Sequence, residues 1–204
     1  MKKKNRIIIL FLLVFLGLVS FYFDSEIVKF ISLSRTGFLN EFFLGLTFLS
    51  SAIIMLFFLT SLFLWNENKR RWILPLWFTL GASIVTSFLI KVSVHRLRPF
   101  QEGVVSTLPS LLEGAQEIWD FSFPSSHAVI SFCAVPILAK EFPRFKWVWV
   151  LIAVLISFSR IYFGLHYMSD LIAGGIIGYL IGITIVKYEE EKQIFEKVYK
   201  RFRF

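Results

Sequence analysis

The sequence predicts an all-α, polytopic membrane protein: six transmembrane helices in one bundle, with short interfacial helices beside them. Three observations predict it. Hydrophobic residues make up 56% of the 204-residue chain. Charged residues make up 18%, below the roughly 25% of a soluble domain. The charges are also clustered, so Ile7–Phe23, Phe42–Trp65, Trp72–Ile90, Phe121–Ala139 and Leu171–Val186 contain no Asp, Glu, Lys or Arg. Several of these stretches reach the ~20 apolar residues that a helix needs to cross a bilayer. A water-soluble enzyme and a disordered chain are both excluded. No repeat or low-complexity tract interrupts the pattern, and residues 1–204 read as one domain.

The first helix is expected over about Ile7–Phe23. Its basic start, Lys2-Lys3-Lys4-Asn5-Arg6, is that of a signal peptide. The apolar run continues through Phe21-Tyr22-Phe23, and no small-x-small cleavage site follows, so it reads as an uncleaved membrane helix. Asp24 to Asn40 mixes Ile27, Phe30 and Ile31 with Glu26, Lys29 and Arg35, the pattern of an interfacial amphipathic helix. The second helix is expected over about Phe38–Trp65 and the third over about Trp72–Val94. The loop Gln101–Pro124 carries Glu102, Glu113, Glu117 and Asp120, and Ser110 with Glu113 fits a capping box for a short helix. The fourth helix is expected over about Ser125–Ala139, the fifth over Trp147–Gly164 and the sixth over Ser169–Val186. In the tail, residues 187–204, Ile194, Phe195, Val198, Tyr199 and Phe202 recur at helical spacing among basic residues. That segment reads either as an interfacial amphipathic helix or as a frayed, solvated one. Cys133 is the single cysteine and lies in an apolar run, a small buried hydrophobe with no disulfide, zinc or redox partner.

Orientation follows the basic residues. With the N-terminus inside, sixteen of the 22 Lys and Arg residues fall on one face and six on the other: Lys29, Arg35, Lys91, Arg96, Arg98 and Arg160. Both termini are therefore expected in the cytoplasm. The net charge of +8 reads as cytoplasmic loops facing anionic lipid, with no nucleic-acid partner.

Polar residues at the non-cytoplasmic ends carry the chemistry. His95, His127 and His166 all fall there, with Lys91, Arg98, Arg160 and Asp170. One such cation is as easily explained by snorkelling to the headgroups. The whole set, three cations around two or three imidazoles, makes a site for a multiply charged anion, most simply phosphate. Lys91 and Arg98 are seven apart, about 10 Å along a continuous helix. Pro99 disfavours helix at Arg98, so the chain turns there and Arg98 swings back. In Pro124-Ser125-Ser126-His127, either serine can cap the fourth helix, whose free N–H groups form an anion site. His127 beside it could protonate a leaving oxygen, or be a plain interfacial histidine. His166 and Asp170, four apart on one helix face, suit a nucleophile and its orienting carboxylate, or a structural hydrogen bond. Gly174, Gly178 and Gly182 continue that face as a close-packing stripe, for a dimer or, more consistent with Asp170 on the same face, the bundle interior.

These segments, in this order, resemble the type 2 phosphatidic acid phosphatase family. Its first motif, Lys, six residues, Arg-Pro, is matched by Lys91 to Arg98-Pro99. Its Pro-Ser-Gly-His is matched by Pro124-Ser125-Ser126-His127. Its Ser-Arg, five residues, His, three residues, Asp is matched by Ser159-Arg160, His166 and Asp170. The motifs cover residues 91–170. One position departs: Ser126 stands where the family has glycine, and a positive φ there would strain serine. The resemblance implies a lipid phosphatase in which His166 attacks phosphorus to give a phospho-histidine and Asp170 orients it. His127 protonates the leaving group and then activates water. Lys91, Arg98, Arg160, Ser125 and the Ser126 amide hold the phosphoryl oxygens. It implies no metal and no cofactor, and no acidic cluster suits Mg²⁺. His95 falls outside the motif positions, as a supporting residue or headgroup contact.

The resemblance further implies a bacterial enzyme of the cytoplasmic (inner) membrane, its site on the periplasmic or extracellular side. Its partners are the bilayer and a lipid phosphate entering sideways. Phosphatidylglycerol phosphate, undecaprenyl pyrophosphate, lipid A 1-phosphate and phosphatidic acid are the candidates. Vanadate haloperoxidases resemble the same site but are soluble. A degenerate member that binds or transports lipid phosphates without turnover is the non-enzyme alternative, supported only by Ser126.

Overall fold

A computed structural model describes residues 3–107 and 121–202. Its α-helices among these are α1 (Lys3–Tyr22), α2 (Asp24–Ser32), α3 (Gly37–Leu49), α4 (Ala52–Leu64), α5 (Ile73–Val94), α6 (Ser126–Glu141), α7 (Lys146–Tyr162), α8 (Met168–Lys192) and α9 (Ile194–Phe202). Short 3-10 turns, Glu67–Trp72 and Pro143–Phe145, lead into α5 and α7. The fold is all-helical over the described residues. The capping box expected at Ser110 and Glu113 lies outside them.

Among the described residues, three segments are long and apolar enough to cross a membrane: Glu67–Val94, Pro143–Tyr162 and Met168–Lys192. The pair α3–α4 makes a fourth if it is counted as one span. That pair corrects the expectation of a continuous helix over Phe38–Trp65: it bends by 71°. The cause is Ser50-Ser51. Ser50 Oγ donates to the Thr47 carbonyl at 2.7 Å, and Ser51 Oγ accepts the Ile54 amide at 3.3 Å, capping α4. Each serine gives the backbone a local partner, which ends one helix and starts the next.

The segment 24–40 also differs from one amphipathic surface helix. Only Asp24–Ser32 forms α2, and Asp24 at its start is buried rather than at a surface. The following linker is pinned by Arg35, which donates to the carbonyls of Tyr162 (2.8 Å) and Ser106 (2.6 Å).

α6 is the centre of the bundle. Residues Ala128 to Ser131 and Cys133 to Leu138 are buried, so it is covered on every side, as its uniformly apolar sequence requires. Its most intimate neighbour is α8. A Cβ on Gly174, Gly178 or Gly182 would stand 2.8 Å, 2.2 Å and 2.2 Å from the carbonyl oxygens of Ser125, Val129 and Cys133. The glycine stripe therefore packs inside the bundle, where backbone meets backbone.

Two apolar clusters clamp the turn between α7 and α8. Phe43, Tyr162, Phe163 and Leu165 form one; Val28, Ile161, Tyr167 and Leu171 form the other. Gly164 adopts φ +70° in this turn, and a Cβ there would lie 2.5 Å from Val105 Cγ2. At the other end, Gln193 is left-handed and the Glu189 carboxylate accepts the amides of Phe195 (3.0 Å) and Glu196 (2.8 Å). The tail helix α9 is thus capped from α8, with Phe195 against Phe78 of α5. This disfavours the frayed alternative.

Candidate active site

Each motif is carried by the end of a helix. α5 stops at Val94 because His95 turns left-handed (φ 55°), its amide still bonded to the Lys91 carbonyl. The chain then doubles back through Arg98-Pro99, closed by bonds from the Glu102 and Val104 amides to the Arg98 and Pro99 carbonyls. Arg98 does swing inward. Its Nη1 donates to the Leu165 carbonyl at 3.0 Å and lies 3.4 Å from His166 Nε2. The Lys91 ammonium donates to the Phe121 carbonyl.

Ser125 is the N-cap of α6 in extended geometry, but its hydroxyl makes no capping bond, contrary to expectation. It is held by its backbone instead: its amide donates to the Asp170 carbonyl at 3.2 Å and its carbonyl accepts from Val129. The Ser125 hydroxyl is fully buried with no hydrogen-bond partner among the described residues. The first-turn amides of α6 thus have no side-chain cap, which leaves an anion-binding helix end. Ser126 is not in the left-handed region, which holds only His95 and Gln193 among described non-glycine residues. Serine is therefore unstrained where the resembling family has glycine. Its hydroxyl pairs with Ser87 of α5 at 2.8 Å.

His127, in the first turn of α6, feels the charges of Arg160, Arg98 and Lys91 and lies in the field of His166. The same three cations act on His166. Arg98 lies against His166, the charges of Lys91 and Arg160 reach both imidazoles, and of these five side chains all but His127 are buried. Burial, then Arg98, Lys91 and Arg160, hold the His166 imidazole well below its ordinary pKa, which favours the uncharged ring.

The His166–Asp170 pair is close but not hydrogen-bonded: Nδ1 to Oδ2 is 3.6 Å. Ser122 stands between them, its Oγ donating to Asp170 Oδ2 at 2.5 Å and lying 3.4 Å from His166 Nδ1. Asp170 Oδ2 also accepts the Tyr167 amide at 2.8 Å, and Oδ1 pairs with Arg96 at 2.8 Å. This arrangement fits a ring protonated at Nδ1, toward the carboxylate, with Nε2 presented to the cations.

Arg98, His166 and Asp170 come together directly, Ser125 joins Asp170 through its backbone, the charges of Lys91 and Arg160 reach both His127 and His166, and the Ser126 hydroxyl turns to Ser87 instead. His95 is not among them: it is exposed and its ring packs edge-on against Phe121. Sequence reasoning passed over Ser87, Ser122, Asp24 and Arg96. Arg96 is one of the six non-cytoplasmic basic residues, and that excess is the sign of it in the sequence.

An apolar groove of about 270 Å³ opens between α4, α5 and α6. It is lined by Ala52, Leu56, Trp77, Leu80, Gly81, Ile84 and Ile130. Ile84 stands two turns before Lys91 on α5, and Ile130 one turn after Ser126 on α6.

Comparison with known proteins agrees with this geometry. Residues 72–194 match the PAP2 superfamily. The chain is 29% identical to an undecaprenyl-diphosphatase of Sulfolobus acidocaldarius, over 82% of this chain and 79% of that one. It is 28% identical to phosphatidylglycerophosphatase B of Bacillus subtilis, over 88% of this chain and 86% of that one. Among solved structures, a transmembrane PAP2-type phosphatidylglycerolphosphate phosphatase from Bacillus subtilis shares the fold. Its TM-score is 0.70 at 23% identity, covering 90% of this chain and 96% of that one.

Proposed function

The chain belongs to the PAP2 superfamily, and on that premise we propose that it is a metal-independent lipid phosphatase of a bacterial inner membrane. The observation that carries this reading is that three buried cations, Lys91, Arg98 and Arg160, act on both His166 and His127.

His166 Nε2 attacks phosphorus in line with the leaving oxygen, and the P–O bond breaks as the P–N bond forms. Asp170 faces the opposite nitrogen and stabilises the ring as it becomes positive. His127 gives its proton to the leaving oxygen, then takes one from the water that cleaves the phospho-histidine. Lys91, Arg98, Arg160, Ser125 and the Ser126 amide hold the phosphoryl oxygens, where charge develops. The unpartnered Ser125 hydroxyl supplies a donor for one of them.

The substrate is a phosphomonoester or pyrophosphate on a membrane lipid, with its tail along the groove. The two relatives, one named for a lipid diphosphate and one for a lipid monophosphate, support both forms. Residues 1–204 make one domain with six spans: α1, the α3–α4 pair, and α5 to α8. The basic bias supports termini in the cytoplasm and the site on the opposite side.

Purified protein in detergent, offered phosphatidylglycerol phosphate and undecaprenyl pyrophosphate, is expected to release phosphate with chelator present. Loss of release on adding chelator would remove the metal-independent mechanism. Release from neither lipid would favour a binding role.

Ser126→Gly is expected to change kcat/KM less than about threefold, because it removes one hydroxyl pair worth ~1 kcal/mol and relieves no strain. A large gain in activity would show that the serine hinders the phosphate.

A further inference from the structure

We propose that Arg96 is a positioning residue, supplying the countercharge that aims Asp170 at His166 and acting through Asp170 rather than on substrate. The inference rests on the roles proposed above for His166 and Asp170. Arg96 Nη1 donates to Asp170 Oδ1 (2.8 Å) and to Ser169 Oγ (2.7 Å), and its Nη2 donates to Asp24 Oδ2 at 2.8 Å. Asp24 in turn accepts the Ser169 amide at 3.0 Å and the Ser169 hydroxyl. The guanidinium is flanked by the Tyr167 and Phe21 rings, 4.1 Å and 4.8 Å from their centroids. The Tyr167 hydroxyl is fixed by Glu102 at 2.6 Å. One side chain therefore ties the end of α1, the start of α2, the loop after α5 and the first turn of α8.

Asp170 is fully buried, and such a carboxylate needs both a countercharge and hydrogen bonds for its lone pairs. Arg96 takes Oδ1, which leaves Oδ2 for Ser122, the Tyr167 amide and the side of His166 Nδ1. Without the fork, the carboxylate is free to rotate or to protonate, and the imidazole loses its fixed reference. Arg96 bonds Asp24, Ser169 and Asp170, whereas Arg98 approaches His166 Nε2, the attacking atom.

The test is steady-state phosphate release by Arg96→Met, Arg96→Lys, Asp170→Asn and the Arg96→Met/Asp170→Asn double variant, with His166→Ala beside them. Arg96→Met is expected to lower kcat about 30- to 100-fold with KM within about threefold, the scale of a misplaced catalytic group. Arg96→Lys, which keeps charge without the fork, should recover roughly fivefold or more of that loss. In the Asp170→Asn background Arg96→Met should add less than about threefold, because the two act as one unit. If Arg96→Met does not fold by thermal melt, Arg96→Lys reads the same split of kcat from KM. A rise in KM with kcat unchanged, losses that multiply in the double variant, or full activity in Arg96→Met would overturn the inference. Activity surviving in His166→Ala would instead overturn the reading on which it rests.

Discussion

Replacing His166 with alanine is expected to lower phosphate release on the order of 10⁴-fold, about 5.4 kcal/mol of lost transition-state stabilisation. The side chain is 1% exposed, with Nδ1 beside Ser122 and Asp170 and Nε2 beside Arg98. No other imidazole can take its place: His127 is on a different helix and His95 packs against Phe121. The loss should fall on kcat. Lys91, Arg98 and Arg160 remain to bind the phosphate, so KM should stay within about threefold. Quenched turnover of the wild type should give an acid-labile, base-stable phosphoprotein that His166→Ala does not form. A variant that retains more than a tenth of the activity would reject His166 as the nucleophile.

Gly178→Ala is expected to have the largest effect on stability. Its Cβ would stand 2.2 Å from the Val129 carbonyl oxygen, and backbone inside the bundle cannot step aside as a flexible side chain could. Forced separation of α6 from α8 should destabilise the fold by about 3 kcal/mol, lowering the melting temperature by roughly 5–10 °C. Activity should fall with it, since Ser125, Ser126 and His127 ride on α6 while Asp170 rides on α8. Gly45→Ala is the control, because nothing lies within 4 Å of its added methyl. Equal melting temperatures for the two variants would show that the helices part without penalty.

The site was largely legible in the sequence because its parts lie in short, ordered motifs at helix ends, where a charge in an apolar chain stands out. Lys91, Arg98, His127, Arg160, His166 and Asp170 could be chosen for that reason before any contact was known. The bend after α3 was hidden, since Ser50 and Ser51 sit between apolar runs with no glycine or proline beside them. Asp24 and Arg96 were hidden for another reason. Their meeting is made by tertiary packing, and each alone reads as a polar residue at a membrane surface. Ser126 posed a question that composition could not answer: whether its position needs a positive φ. The backbone angle answers it.

The ion pair of Arg96 with Asp24 also bears on how such a protein could be recombined. The recognisable family segment begins at residue 72, whereas the carboxylate that shares the Arg96 guanidinium with Asp170 is contributed by α2. The boundary of the motif-bearing segment is therefore not the boundary of the working unit. A chimera joining residues 72–194 to foreign leading helices would have to bring its own acid to the place of Asp24. Otherwise the inherited arginine would be left with one carboxylate where it was built to hold two.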